Sequence, residues 1–244
     1  VLLLVWTSVL CARTEVYSAT ATALSGVTLL SDSVSDYALS PTLGITGLSS
    51  FYHRPHGNTD ITVLGLHYAI QKWFLIFATG TTYIGHSDYE MHNPYLSASI
   101  NLFGASIGAT QHLIYDSSSS DDGKSILSQD FGIRIENDNF GTEVKYLRFD
   151  TDDAAMHFSL KAEPSDGVET ATTFVWEPEG DKYYKVSASR FPTSFLTLYT
   201  SYQIEPSGFG AGIRIGLDRW SLMYAIRTHP ELDMTQSIAL DVYW

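Results

Sequence analysis

The chain has 244 residues, of which 44% are hydrophobic, 13% aromatic and only 17% charged. That balance is rich in aromatics and poor in charge for a water-soluble domain. Its formal charge of -13 excludes nucleic acid as an expected partner, because phosphate binding needs the opposite sign.

The first element is the apolar run from Val1 to Ala12. It is too short to span a bilayer as a helix but has the length of a signal-peptide core. Residues 1–23 are therefore read as a secretory signal without its basic start. Small residues allow cleavage after Ser18, Ala21 or Ala23. The sole cysteine, Cys11, follows Leu10, a poor fit to a lipoprotein site, so the mature chain is expected to carry no thiol and no disulfide. No later stretch approaches the roughly 20 apolar residues of a membrane helix. Residence in a membrane would have to use strands.

Residues 24–45 do not alternate. Ser33 followed by Asp36 reads as a capping box for a short helix that stops before Pro41. Lying ahead of the first strand, this stretch, with Asp32, Asp36 and Pro41, is expected to fold as a plug inside a barrel formed by residues 46–244. Alternation and turn residues place strands near 46–54, 60–70, 73–84, 94–102, 105–115, 126–136, 140–149, 155–162, 169–176, 182–190, 194–203, 208–216, 219–227 and 234–244. That is about fourteen strands, an even number of roughly the length a tilted membrane strand needs. Every second link is tight, as at Gln71-Lys72 and Phe103-Gly104, whereas the intervening links, such as Gly85 to Asn93 and Asp116 to Ser125, are longer or more acidic. Pro164 to Val168 is an exception. The faces also sort: Met156, Phe158 and Leu160 oppose His157, Ser159 and Lys161, and the last strand sets Ile238, Leu240, Val242 and Trp244 against Ser237, Ala239, Asp241 and Tyr243. A soluble sandwich would show the same alternation with its apolar face on a second sheet. Strand length, loop asymmetry, signal segment and terminal Trp244 favour an all-β, antiparallel transmembrane barrel of the bacterial outer membrane with both termini periplasmic.

The order Gly26, Asp32, Ala38, Pro41, Leu43 resembles the N-terminal segment of the FadL-type superfamily, especially its PorV/PorQ branch. The hairpin from Tyr224 to Leu240, with Arg227-Thr228-His229-Pro230-Glu231-Leu232 and Thr235-Gln236-Ser237, is similar to that branch's closing hairpin. Ser40 and Thr42 stand where the family has Asn and Ala. The resemblance implies a fourteen-stranded plugged barrel. It also implies a distorted third strand with a sideways exit, for which Gly80 is the matching position. The alternative at Gly80 is a glycine that makes room for a lumenal side chain.

Two roles follow from that resemblance. One is passive binding or transport of small hydrophobic molecules; the other is a PorV/PorQ-like surface scaffold for a protein secretion system, transporting nothing. Outer-membrane lipid is an expected partner in both, and the C-terminal strand is the expected contact with the barrel-assembly machinery. On the inward parity lie Arg134, Lys145, Lys161, Lys185, Arg214, Arg219 and Arg227. Read functionally they attract a carboxylate or other anion; read structurally they pair with Glu143, Asp241 and the plug's Asp32 and Asp36, since buried unpaired charge is costly. The eight His residues, His53, His56 and His67 among them, show no metal-ligand spacing. Asp116, Asp121 and Asp122, like Asp150, Asp152 and Asp153, are oxygen donors of the type calcium uses, or solvated loop acids. No catalytic, phosphate-loop or zinc motif is present, so neither enzymatic activity nor a cofactor or metal is expected.

Overall fold

In the computed structural model, residues 18–57, 60–118, 121–148, 154–178, 180, 182–230 and 232–244 are described. A short helix α1 (Ala19–Ala23) and two 3-10 turns (Thr28–Leu30 and Val34–Ala38) precede the sheet. The strands are β1 (Gly47–Arg54), β2 (Thr62–Lys72), β3 (Leu75–His86), β4 (Tyr89–Leu102), β5 (Ala105–Ser118), β6 (Asp121–Glu136) and β7 (Phe140–Leu147). They continue as β8 (Ala155–Ser165), β9 (Val168–Trp176), β10 (Lys182–Thr193), β11 (Leu196–Ile204), β12 (Gly208–Leu217), β13 (Trp220–Arg227) and β14 (Thr235–Tyr243). Each pairs antiparallel with the next, and β1 pairs with β14 from Gly47↔Tyr243 to Arg54↔Gln236, so the sheet closes into a barrel. That last ladder removes the sandwich alternative, which would leave sheet edges unpaired.

The period-two pattern explains the two faces. Ile107 is 60% exposed and Leu96 62%, whereas Lys145 is 1% and Glu143 0% exposed. Large apolar groups outside and charges inside invert the partition of a water-soluble domain. Small inner residues, among them Ser49, Ser97, Ser99, Ala171, Ser187 and Ser201, leave room for the N-terminal segment. Aromatics gather at the end of the barrel that holds most of the tight turns: Trp73, Phe103, Phe195, Trp220 and Trp244 are all more than half exposed. In outer-membrane barrels such girdles stand at the bilayer interfaces.

The turns at this end follow from local chemistry. Trp73, Phe103 and Asp218 take positive φ, as does Gly104, which suits the primed turns that match strand twist. The link expected to be loose at Pro164–Val168 is tight, because β8 runs on to Ser165 and Gly167 turns at φ +70°. Loop asymmetry is weaker than expected from the sequence. β3 and β4 run to His86 and Tyr89, and β5 and β6 to Ser118 and Asp121, which turns two supposed loops into strand. Pro94, read as a strand start, lies inside β4. The β4–β5 ladder passes from His92↔Tyr115 to Tyr95↔His112 without pairing in between, in unchanged register, as expected of a residue without an N–H.

An apolar outward face has a measurable consequence in a bilayer. Ile133→Lys, on an outward position 53% exposed, is expected to lower folding stability in phospholipid vesicles by about 2–4 kcal/mol, read by urea titration. An exposed position in water would lose almost nothing.

Candidate functional site

The lumen is occupied by the N-terminal segment. Ser18 caps α1, its Oγ accepting from the Ala21 amide at 3.0 Å. The Ala-Thr composition lets α1 lie directly on β12. A Cβ at Gly212 would stand 2.7 Å from that of Ala23, and one at Gly210 would stand 2.6 Å from the Ala23 carbonyl oxygen. Residues 18–23, assigned to the signal from sequence, lie buried inside the barrel in this structure. The remainder of that segment, with Cys11, lies outside the described residues.

The expected helix after Ser33 is the 3-10 turn Val34–Ala38, and the capping box does not form. Ser33 Oγ instead donates to Asp241 Oδ1 on β14 at 2.7 Å. The ionic partner in the wall has replaced the local cap. Asp36 is fully buried and accepts from the hydroxyls of Ser18 and Ser31, tying α1 to the second half of the plug. Burial pushes its carboxyl up to about 6, against the lowering effect of those two hydroxyls. Pro41 packs on β5 and β6, where Gly108 and Gly132 provide the space its carbonyl and ring require.

Three of the inward cations serve this plug. Arg214 reaches Asp32 Oδ1 at 2.8 Å and Asp241 Oδ2 at 3.7 Å, and donates to the Asp32 carbonyl and to Thr20 Oγ1 at 3.0 and 2.7 Å. Glu143 accepts from Thr28 and Thr42 at 2.6 and 2.8 Å and also from Ser40. Lys145, 3.9 Å from Glu143, donates to Thr28 Oγ1 and the Leu39 carbonyl at 2.7 and 2.9 Å. Arg134 donates to the Leu29 carbonyl at 3.1 Å and pairs with Glu136.

Three other cations stay with the wall. Lys161 lies between Glu136 and Glu169, Arg227 donates to Gln203, and Lys185 stands 5.4 Å from the Tyr183 ring centre. Arg219, expected inward, does not line the lumen. It occupies the exposed turn between β12 and β13, where Asp218 at φ +55° breaks the strand parity on which its inward assignment rested. Of the acids expected as partners, Glu143 meets Lys145, and Asp32 and Asp241 meet Arg214, whereas Arg134 and Lys161 pair with the partly exposed Glu136 and Glu169.

Gly80 does not interrupt the wall. β3 pairs with β2 and β4 through it in one register, His67↔Gly80 and Gly80↔Tyr95. A Cβ there would stand 2.4 Å from His67 Nδ1, so the glycine seats that imidazole. His67 belongs to an aromatic belt that single-sequence reasoning did not find. Phe51 stacks on His67 at 5.5 Å, His67 meets Tyr95 at 5.5 Å, and Tyr95 meets His112 at 5.7 Å. His112 Nε2 ends the row on Asp130 at 2.9 Å. Beside it pack the inner apolar residues Val63, Ile84 and Met91, with Ile61, Tyr89 and Ile114 partly covered. The available signal was the pair of inward glycines, Gly65 and Gly80, each needed because a ring fills its place.

No group of three metal-ligating side chains occurs among the described residues. Asp150, Asp152 and Asp153, and the side chains of Asp121 and Asp122, lie outside them.

No protein-family model and no curated sequence matches the chain. Among solved structures it is similar to the CymD monoaromatic hydrocarbon channel, with a TM-score of 0.72 and 9% identity over 93% of this chain and 97% of that one. The Ralstonia pickettii toluene transporter TbuX gives a TM-score of 0.63 and 8% identity over 93% and 98%. At these identities the likeness is one of fold: a closed, fourteen-stranded antiparallel barrel.

Two tests bear on the plug. Arg214→Met strands buried Asp241 and is expected to cost about 3–5 kcal/mol, read as a lower urea midpoint. Because the Asp36 carboxyl is raised, its stabilisation is complete below its ordinary value near 3.8 and is lost as pH rises through about 6. Amides of residues 18–40 should exchange more slowly at about pH 5 than at about pH 7.5 after correction for intrinsic rates. Asp36→Asn should flatten that difference.

Proposed function

We propose that this chain is an outer-membrane channel for the passive passage of small hydrophobic molecules, monoaromatic ones in particular. The tight-turn end and both ends of the barrel domain face the periplasm, and the plug gates the lumen. The observation that carries this reading is the belt of Phe51, His67, Tyr95 and His112, flanked by Val63, Ile84 and Met91 on the β1–β5 wall. Aromatic faces and apolar side chains at one level of a plugged barrel offer an uncharged planar molecule stacking contacts. The fold shared with two hydrocarbon channels supports the same reading. Proteins of this kind supply passage and selectivity without a chemical step, so no enzymatic activity is assigned.

One observation favours the second reading, a PorV/PorQ-like scaffold at the cell surface. The lumen is packed, with the belt residues at most 5% exposed and an unbroken ladder at Gly80. A channel must move its plug to conduct; a scaffold need not.

Proteoliposome uptake separates the two. The transport reading expects uptake of labelled toluene above that of empty vesicles, with sucrose excluded. Phe51→Ala should reduce uptake about three- to tenfold, the equivalent of one aromatic contact. Toluene entry no faster than into empty vesicles would leave the scaffold role standing.

A further inference from the structure

The inner face of β2 to β5 carries one row of directly paired residues: His67, Gly80, Tyr95 and His112, each opposite the next across the ladder. His67 is 1% exposed and Tyr95 4%. His67 Nδ1 lies 3.0 Å from Tyr95 Oη, and its ring is stacked on that of Phe51 at an interplanar angle of 12°. The other ring nitrogen, Nε2, is buried and meets no hydrogen-bond partner among the described residues. His112, by contrast, is held at both nitrogens, by Asn93 at 3.2 Å and Asp130 at 2.9 Å.

Which hydrogen His67 carries follows from the number of groups left unmatched. A phenol has one hydrogen to give, and Tyr95 Oη has no second partner among the described residues. If Nδ1 donated, both the Tyr95 hydrogen and the Nε2 lone pair would go unmatched. If Tyr95 donates, only Nε2 is left over, and it carries the hydrogen. The second arrangement costs less, so His67 presents a donor. Nε2 is one of the two imidazole atoms furthest from the backbone, and His67 points inward. The donor is therefore aimed at the lumen, on the level of the rings of Phe51 and Tyr95.

We propose that His67 selects the passenger of this channel. The favoured molecule is a monoaromatic compound bearing one uncharged oxygen acceptor beside its ring, as in an aryl ketone, an aryl aldehyde or a phenol. Its oxygen accepts from His67 Nε2–H while its ring takes the stacking contacts of the belt. A plain hydrocarbon fits the rings but leaves the buried donor unmatched, which is the costlier arrangement. This rests on the transport reading and narrows its substrate class.

The test is a pair of near-isosteric ligands, acetophenone and cumene, which differ by a carbonyl oxygen in place of a methyl group. Each is titrated into the full refolded barrel in detergent with nitrogen-labelled histidine rings, and affinities are corrected for partition into protein-free micelles. Saturable binding of both is expected, with acetophenone about three- to tenfold the tighter, the contribution of one hydrogen bond. The Nε2–H resonance of His67, identified by its loss in His67→Phe, should move downfield with acetophenone alone. His67→Phe keeps an aromatic ring and should bring the two affinities together. Gel migration that shifts on heating checks that this variant folds; if it does not, the affinity ratio of the unaltered protein carries the test. Saturable binding of both ligands with equal affinity, or a ratio that survives His67→Phe, would overturn the role of His67 and leave the transport reading standing. Saturable binding of neither would overturn both.

Discussion

A strand facing hydrocarbon finds no water for its amides, so every N–H and C=O must be satisfied within the sheet. The pairing of β1 with β14 from Gly47↔Tyr243 to Arg54↔Gln236 meets that constraint, and the rest of the molecule follows from it. Once the ladder closes, each strand has one side turned to the lumen and one turned out, and the chain has only to supply apolar residues at alternate positions. Leu96, Ile107, Ile133 and Leu160 do so on different strands. Pro94 is tolerated within this scheme because the register holds on both sides of it.

Closure creates a second problem inside. A fourteen-stranded barrel is too wide for its own side chains to fill, and this chain fills it with residues 18–46. An irregular segment brings unpaired backbone carbonyls and polar side chains, which the wall must match. Arg214, Glu143, Lys145 and Arg134 provide that match, reaching Asp32, Thr28, Ser40, Leu39 and Leu29. Arg134, Lys145 and Arg214 are thus spent on holding the plug, and Lys161, Lys185 and Arg227 stay with the wall.

The architecture was legible because it is written in local chemistry. Period-two alternation repeats in every strand, and the turn residues stand close to where the structure turns. Strand ends were less legible: Tyr89 to Asn93 and Asp121 to Ser125 are polar yet paired, because a ladder can continue past the apolar band. Arg219 shows the limit of parity, since counting by twos fails across a turn. Ser33 shows another limit. A local capping pattern lost to Asp241, more than two hundred residues away, whose position depends on closure. The aromatic belt was hidden for the same reason. Phe51, His67, Tyr95 and His112 share a level only once the shear between their strands is set, and one sequence does not state the shear.

The most direct test of the account is the direction of each side chain along one strand. In a Cys11→Ser background, single cysteines at Thr197, Leu198, Tyr199, Thr200, Ser201 and Tyr202 of β11 are labelled with an environment-sensitive fluorophore in vesicles containing brominated lipid. The account predicts quenching at Leu198, Thr200 and Tyr202 and none at the three alternate positions, whose side chains face the plug. Quenching at neither set, or at both, would contradict a barrel whose outer face lies in hydrocarbon.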